Sequence, residues 1–455
     1  MGLLTQPAYL PEKTGADADR KYKSLRWQVF AGAFIAYAGF YLVRKNFSMA
    51  IPFLSQFGFE KGELGIVLST NAFAYAFSRL FMGPVSDRSN ARTFLPLGLI
   101  CAAISMCFMI VPIAYIHNHT LSIVVMCILN ALVGWFNGMG YPPCTRIITH
   151  WFSQTERGTM SSIWNCSHNI GGALVGPMAV YGAMWFGSWF YGSNADNYFL
   201  IGTFAFPAAV SILSAIIAYC LVRDTPQSQG LCSIEKFKND YPKNYSEKSE
   251  ETLSVKEILT KYIFPNKFLW YVCLADAFIF MVRYGCLDWA PTYLTEAHGF
   301  NIKEAGWAYF AYEFAAIPGT LLCGWLSDSL FRGRRAWLNI IYTICAAICV
   351  VLYWKFSYSP TAAIIFLICI GFFIYGPIML LAVQAMDLVP KNASGAAVGL
   401  IGFCTYLLGT AVLANTLLGF IVQNFGWDTN FIFVIVGCFM ALFFMTLTIK
   451  AEKSK

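Results

Sequence analysis

A chain of 455 residues that is 58% hydrophobic, 17% aromatic and only 12% charged is too apolar for an ordinary soluble domain and reads as a polytopic membrane protein. The net charge of +7 is spread over short polar segments between apolar runs, with no basic stripe, which argues against nucleic-acid binding. The fifteen cysteines fall mostly inside apolar runs and form no Cys-x-x-Cys pair, so they read as small buried residues rather than disulfide partners or metal ligands.

Residues 1–26 are polar and contain no cleavable apolar core, so the first span is expected to act as the insertion signal. A window of about 20 residues predicts twelve membrane helices. They cover 27–51, 64–83, 93–115, 121–146, 158–184, 199–222, 269–292, 304–326, 336–356, 361–386, 394–421 and 429–450. The fold class is therefore all-α, in two six-helix bundles: residues 1–222, a linker loop over 223–268, and residues 269–455. Basic residues gather on one side of the spans, at Lys13, Arg20, Lys21, Lys23 and Arg26, then Arg88, Arg92 and Arg157, then Arg332, Arg334 and Arg335, and finally Lys450, Lys453 and Lys455. The connection over 187–197 has none, and the positive-inside rule places both termini in the cytoplasm.

The first span carries Tyr37, Tyr41, Arg44 and Lys45. A charge at the centre of a membrane helix costs roughly 2.5–3.5 kcal/mol, so two adjacent cations there require a reason. In a continuous helix Tyr37, Tyr41 and Arg44 share one face and Lys45 points about 100° away. A guanidinium beside phenols suits a phosphate or carboxylate away from bulk water. In the second span Arg79 follows Tyr75 by one turn, and in the fifth Trp164 precedes the neighbouring pair Asn165 and His168. The seventh carries Arg283, for which Asp276 and Glu313 are the candidate carboxylate partners. Gly134-Trp-Phe-Asn-Gly138-Met-Gly140 lies inside a span with no strand before it, so it reads as a helix-packing element rather than a nucleotide loop. No catalytic triad or metal-ligand spacing stands out, so no enzyme, metal or cofactor is expected.

The two halves echo each other. Arg283 follows Arg44 by 239 residues, Gly371 follows Gly134 by 237, and Gly324-Trp-Leu-Ser-Asp328 follows Gly83-Pro-Val-Ser-Asp87 by 241. Two similar six-helix halves about an axis normal to the membrane are the layout of transporters built from parallel repeats, and this layout brings Arg44 and Arg283 to one central cavity. Together they offer two bidentate forks to one dianion.

The stretches Tyr41-Leu-Val-Arg-Lys-Asn-Phe47, Gly134-Trp-Phe-Asn-Gly-Met-Gly-Tyr-Pro-Pro143, Trp164-Asn-Cys-Ser-His-Asn169, Arg223-Asp-Thr-Pro-Gln227, Arg283-Tyr-Gly-Cys-Leu-Asp-Trp289 and Ile317-Pro-Gly-Thr-Leu-Leu-Cys-Gly-Trp325 carry a resemblance. The chain resembles the bacterial glycerol-3-phosphate transporters, within the organophosphate:phosphate antiporters of the major facilitator superfamily, from about Leu25 to the last span. The resemblance implies exchange of external glycerol 3-phosphate for internal inorganic phosphate across the bacterial inner membrane, by a monomer that needs no cofactor. It implies that Arg44, Arg283 and His168 bind the phosphate, and that Tyr37, Tyr41, Asn165, Trp164, Arg79, Phe280, Tyr375 and Tyr406 line the pocket or path. It further implies an ion-pair network of Lys45, Asp288 and Glu313 that rearranges as the halves rock.

Two positions depart from the family pattern: Arg79 stands where lysine is usual, and Phe280 where tyrosine is. Ala396-Ala-Val-Gly-Leu-Ile401 is uncharged where the hexose-phosphate branch is expected to carry an acid and a base. The other readings are a transporter of another phosphate ester, such as a hexose phosphate or phosphoglycerate, and a non-transporting organophosphate receptor. A proton-coupled symporter would need carboxylates deep in the spans, for which Asp276 is the one good candidate.

Overall fold

The computed structural model describes residues 4–190, 199–240, 257–331, 334–389 and 394–453. Among these the secondary structure is helical apart from one isolated bridge between Thr5 and Ser89. The first six spans are α1 (Ala16–Leu42, resumed as Asn46–Gln56), α2 (Lys61–Asp87), α3 (Ala91–Cys107, resumed as Ile110–Ala114), α4 (His119–Asn137, resumed as Tyr141–Trp151), α5 (Gln154–Phe190) and α6 (Ile201–Leu221). The second six are α7 (Lys267–Leu287, resumed as Ala290–His298), α8 (Ile302–Ser329), α9 (Arg335–Phe356), α10 (Pro360–Asp387), α11 (394–425) and α12 (427–453). Gly426, at φ 80°, makes the turn between the last two, in a backbone region that favours glycine.

Among the described residues, eight helical runs are long and apolar enough to cross a bilayer on composition alone, and one of them, Ala396–Lys450, holds both α11 and α12. The three spans that fall short, α1, α5 and α8, carry Arg44 and Lys45, Asn165 and His168, and Glu313. Polar side chains that an isolated membrane helix would disfavour are here buried by the other helices, as Arg44, Lys45 and Glu313 are, or turned to the space between the halves, as Asn165 and His168 are. Two spans begin a few residues earlier than hydropathy suggests, because capping boxes organise their first turns: Glu60 with Glu63 at α2, and Asn301 with Glu304 at α8.

The first span is not one continuous helix. It breaks at Val43–Lys45, where Val43 adopts φ −109°, ψ 4° and Lys45 φ −119°, ψ 10°. Arg44 therefore leaves the stripe of Tyr37 and Tyr41. No glycine or proline stands in the break; side-chain bonds compensate it, among them Asn46 Nδ2 donating to the Thr203 carbonyl at 2.8 Å. The corresponding span α7 breaks at Asp288–Trp289, just before Pro291.

Packing repeats between the halves. α1 lies against α5 and α6 as α7 lies against α11 and α12, and α2 meets α4 as α8 meets α10. Gly134 of α4 sits on the backbone of Asn71 in α2, and Gly371 of α10 sits on the backbone of Tyr312 in α8, so close that a Cβ at either would strike the carbonyl. These glycines do serve helix packing.

On the face that carries both chain ends, part of the polar stretch after α6 folds back onto the first six helices. Leu10 N–H donates to the Gln227 carbonyl at 3.1 Å and Lys13 N–H to the Gly230 carbonyl at 2.9 Å, while Phe237 stacks on Tyr22 at 4.0 Å. Asp224, buried, accepts from the Ala91 N–H at 2.9 Å and from Arg146 Nη2 at 3.0 Å. Residues 241–256, most of the connection over 187–197, Arg332 and the side chains of Asp87 and Asp328 lie outside what is described.

Candidate functional site

A cavity of about 400 Å³ lies between the two sets of six helices. Its walls at the terminal face come from Ser161 and Ser162 at the start of α5, Ala382 and Val383 near the end of α10, and Val398 and Ile401 at the start of α11. At the opposite face the halves are in contact. Ser69 of α2 reaches the Ala411 carbonyl at 2.7 Å and the Thr416 hydroxyl at 2.6 Å in α11, and Gly62 N–H donates to Gln423 Oε1 at 2.8 Å. Gly176 of α5 lies against the backbone of Gly306 in α8. The cavity is thus closed at one face and lined out toward the other.

Arg283 stands on the cavity wall, 3% exposed. Its Nη2 donates to the Tyr375 hydroxyl at 2.5 Å; that hydroxyl donates to Glu313 Oε2 at 2.5 Å, and the guanidinium is 3.6 Å from Glu313 Oε1. Rings of Tyr375, Tyr284 and Phe280 surround its Cζ at 4.2, 4.6 and 5.5 Å. Buried charge is tolerated here through one carboxylate, one phenol and several aromatic faces. The Nε of Arg283 has no hydrogen-bond partner.

Arg44, 4% exposed, does not line this cavity; it borders a void of about 10 Å³ behind Tyr406. Its Cζ lies 3.8 Å from the Tyr75 ring, 4.9 Å from Tyr406 and 5.1 Å from Tyr41, and its Nη1 donates to the Tyr41 hydroxyl at 3.1 Å. Its Nε also lacks a partner. Three tyrosines from three helices therefore stand between one arginine and the space the other faces.

The remaining residues singled out by sequence divide cleanly. Tyr37, Tyr41, Arg79, Trp164, Asn165, His168, Phe280, Tyr375 and Tyr406 all line the cavity. His168 Nδ1 is bonded to the Asn165 carbonyl, which leaves Nε2 to act toward the cavity, and its ring is 5.1 Å from that of Tyr41. Arg79 lies over the Tyr141 ring at 4.7 Å. Lys45, Asp288 and Glu313 do not line it. They form two separate pairs rather than one trio: Lys45 Nζ meets Asp288 Oδ2 at 2.7 Å, while Glu313 serves Arg283. Asp276 is hydrogen-bonded by Thr405 Oγ1 at 2.7 Å instead of pairing with Arg283.

Tyr141, Thr320 and Thr405 also line the cavity and escape sequence reasoning. Tyrosine and threonine in an apolar run carry no cost large enough to mark them. Tyr75 carried a faint signal, one turn before Arg79.

A cavity on the pseudo-twofold axis of two six-helix halves, walled by cations and phenols, defines a membrane transporter of the two-repeat type. A Major Facilitator Superfamily family model matches residues 29–414, and the chain belongs to that superfamily. It is 48% identical to a glycerol-3-phosphate transporter of Bacillus subtilis over 94% of each chain, and 43% identical to one of Haemophilus influenzae over 95% of this chain and 93% of that one. Among solved structures, a bacterial homologue of the human lysosomal transporter Spinster, inward-facing and unoccupied, superposes with a TM-score of 0.75 at 18% identity, covering 94% of this chain and 97% of that one.

Proposed function

We infer that the protein carries glycerol 3-phosphate into the cell in exchange for inorganic phosphate, as a monomer in the bacterial inner membrane with both termini cytoplasmic. The observation that supports this reading most is the pair of buried arginines, one from each half and 239 residues apart, with Arg283 on the cavity wall and Arg44 behind the tyrosine layer that borders the cavity. The names of the relatives at 48% and 43% identity point to the same substrate. In this reading residues 1–222 and 269–455 are the two moving bodies and 223–268 joins them.

The cavity then faces the cytoplasm. A phosphate dianion meets Arg283 first and competes with Tyr375 and Glu313 for its donors. Tyr41, Tyr75 and Tyr406 swing aside so that Arg44 completes the grip, each guanidinium supplying a fork of parallel donors. His168 and Asn165 add donors from α5, and Tyr37, Trp164 and Arg79 line the approach. With the dianion neutralising both cations, the halves close over it. On the far face the Lys45–Asp288 pair and the α2–α11 and α5–α8 contacts part, and the site opens outward in a rocking motion. Without a dianion nothing draws the two guanidiniums together across the halves, so the carrier returns only with another phosphate-bearing ligand.

Uptake of labelled glycerol 3-phosphate into proteoliposomes, with and without phosphate trapped inside, tests this. Uptake that requires internal phosphate supports exchange; binding without uptake points to a receptor, and uptake driven by a proton gradient to a symporter.

A further inference from the structure

Asp276 lines the cavity but takes no part in the phosphate grip. It is 3% exposed, its Oδ2 accepts from Thr405 Oγ1 at 2.7 Å, and its buried Oδ1 has no hydrogen-bond partner. Arg283 takes Glu313 as its carboxylate, so Asp276 is not consumed in neutralising it. A buried carboxyl oxygen without a donor is costly, and a site containing one favours whatever brings a donor to it.

Its position says which donor. Asp276 precedes Arg283 by seven residues in the uninterrupted helix Lys267–Leu287. At 1.5 Å and 100° per residue the two stand about 10 Å apart along the axis and within about 20° around it. Phe280 lies between them, its ring also on the cavity. This wall of α7 thus presents, in order from the terminal face, an acceptor, an apolar ring and a cation. A phosphate ester of a short polyol presents hydroxyl donors, a carbon chain and an anion. The unpaired oxygen accepts from hydroxyls, whereas a phosphate dianion has no proton to offer it, so it also fixes which way round the ester lies.

We propose that Asp276 is a specificity-determining residue that accepts hydrogen bonds from the hydroxyl groups of the transported ester while the arginines hold its phosphate. This rests on the phosphate-ester reading above. Inorganic phosphate, having no hydroxyl-bearing tail, makes no use of it.

The test compares glycerol 3-phosphate with propyl phosphate, the same chain without hydroxyls, as competitors of labelled-phosphate exchange in proteoliposomes of the full chain. The ratio of their inhibition constants is read within each variant, so changes in overall rate or in the amount of folded protein cancel. The unmodified protein is expected to prefer glycerol 3-phosphate by at least tenfold, and Asp276→Ala by less than threefold. Asp276→Leu, which keeps the volume without any acceptor if the alanine variant does not insert, is expected to lose most of the preference as well. A preference that survives both substitutions, or that the unmodified protein never shows, overturns the proposal. If neither ester competes in the unmodified protein, the phosphate-ester reading itself fails and the proposal falls with it.

Discussion

Lys45 Nζ stands 2.7 Å from Asp288 Oδ2, an ion pair that joins the break in α1 to the break in α7 across the two halves. Asp288 is fully buried, and the Lys45 ammonium also lies 3.7 Å from the Tyr284 ring. Breaking such a pair from one side leaves an uncompensated buried charge, worth about 3–5 kcal/mol, whereas replacing both partners by apolar residues of similar volume is often neutral. Asp288→Leu or Lys45→Met alone is therefore expected to lower the thermal midpoint of the purified protein by several degrees, and the double variant to recover most of that loss. Equal midpoints for the single and double variants would contradict this account.

The two arginines differ from lysine in offering a planar fork. Arg44→Lys and Arg283→Lys are each expected to reduce exchange by at least a hundredfold while the protein still inserts and elutes as a monodisperse species. Near-normal exchange by either variant would sink the two-fork grip.

Gly176 and Gly306 bring α5 and α8 into backbone contact on the face away from the termini. A side chain at Gly176 would strike the Gly306 carbonyl, so that face could not close as it does here. Gly176→Leu is expected to hold the carrier open on that side and to stop exchange. A cysteine placed in the far half of the cavity should then react with an impermeant thiol reagent added outside, in a background from which other reactive cysteines have been removed.

Asp224 ties the segment after α6 to the start of α3 and to Arg146, whose Nη1 also donates to the Ser86 and Ser89 carbonyls at 3.1 and 2.8 Å. Asp224→Ala removes a hydrogen-bond acceptor from a part-buried guanidinium and an anion from a helix N-terminus, together about 2–4 kcal/mol. Limited proteolysis is expected to cut within 223–240 in this variant and to spare the unmodified protein.

Charge and hydropathy made much of this legible in the sequence. Twelve apolar runs set the spans, and the cost of placing a cation among them singled out Arg44, Lys45, Arg79 and Arg283 before any contact was known. The equal spacing of the two arginines in two repeats placed them about one axis. The break at Val43–Lys45 was not legible, because neither glycine nor proline marks it and the Thr203 carbonyl of α6 and the Asp288 carboxylate at the break of α7 hold it. The separation of Arg44 from the cavity by Tyr41, Tyr75 and Tyr406 depends on three helices meeting, which no single segment encodes. The docking of 223–240 rests on few apolar anchors, Leu231, Ile234 and Phe237 among them, too sparse to form a periodic pattern in a polar stretch.

The most direct measurement loads proteoliposomes with labelled phosphate and follows its release. The account predicts almost no release into empty buffer and prompt release, one for one, when glycerol 3-phosphate or phosphate is added outside. Steady release without an external phosphate-bearing ligand would show that the empty carrier returns freely, and would contradict the coupling assigned to the two arginines.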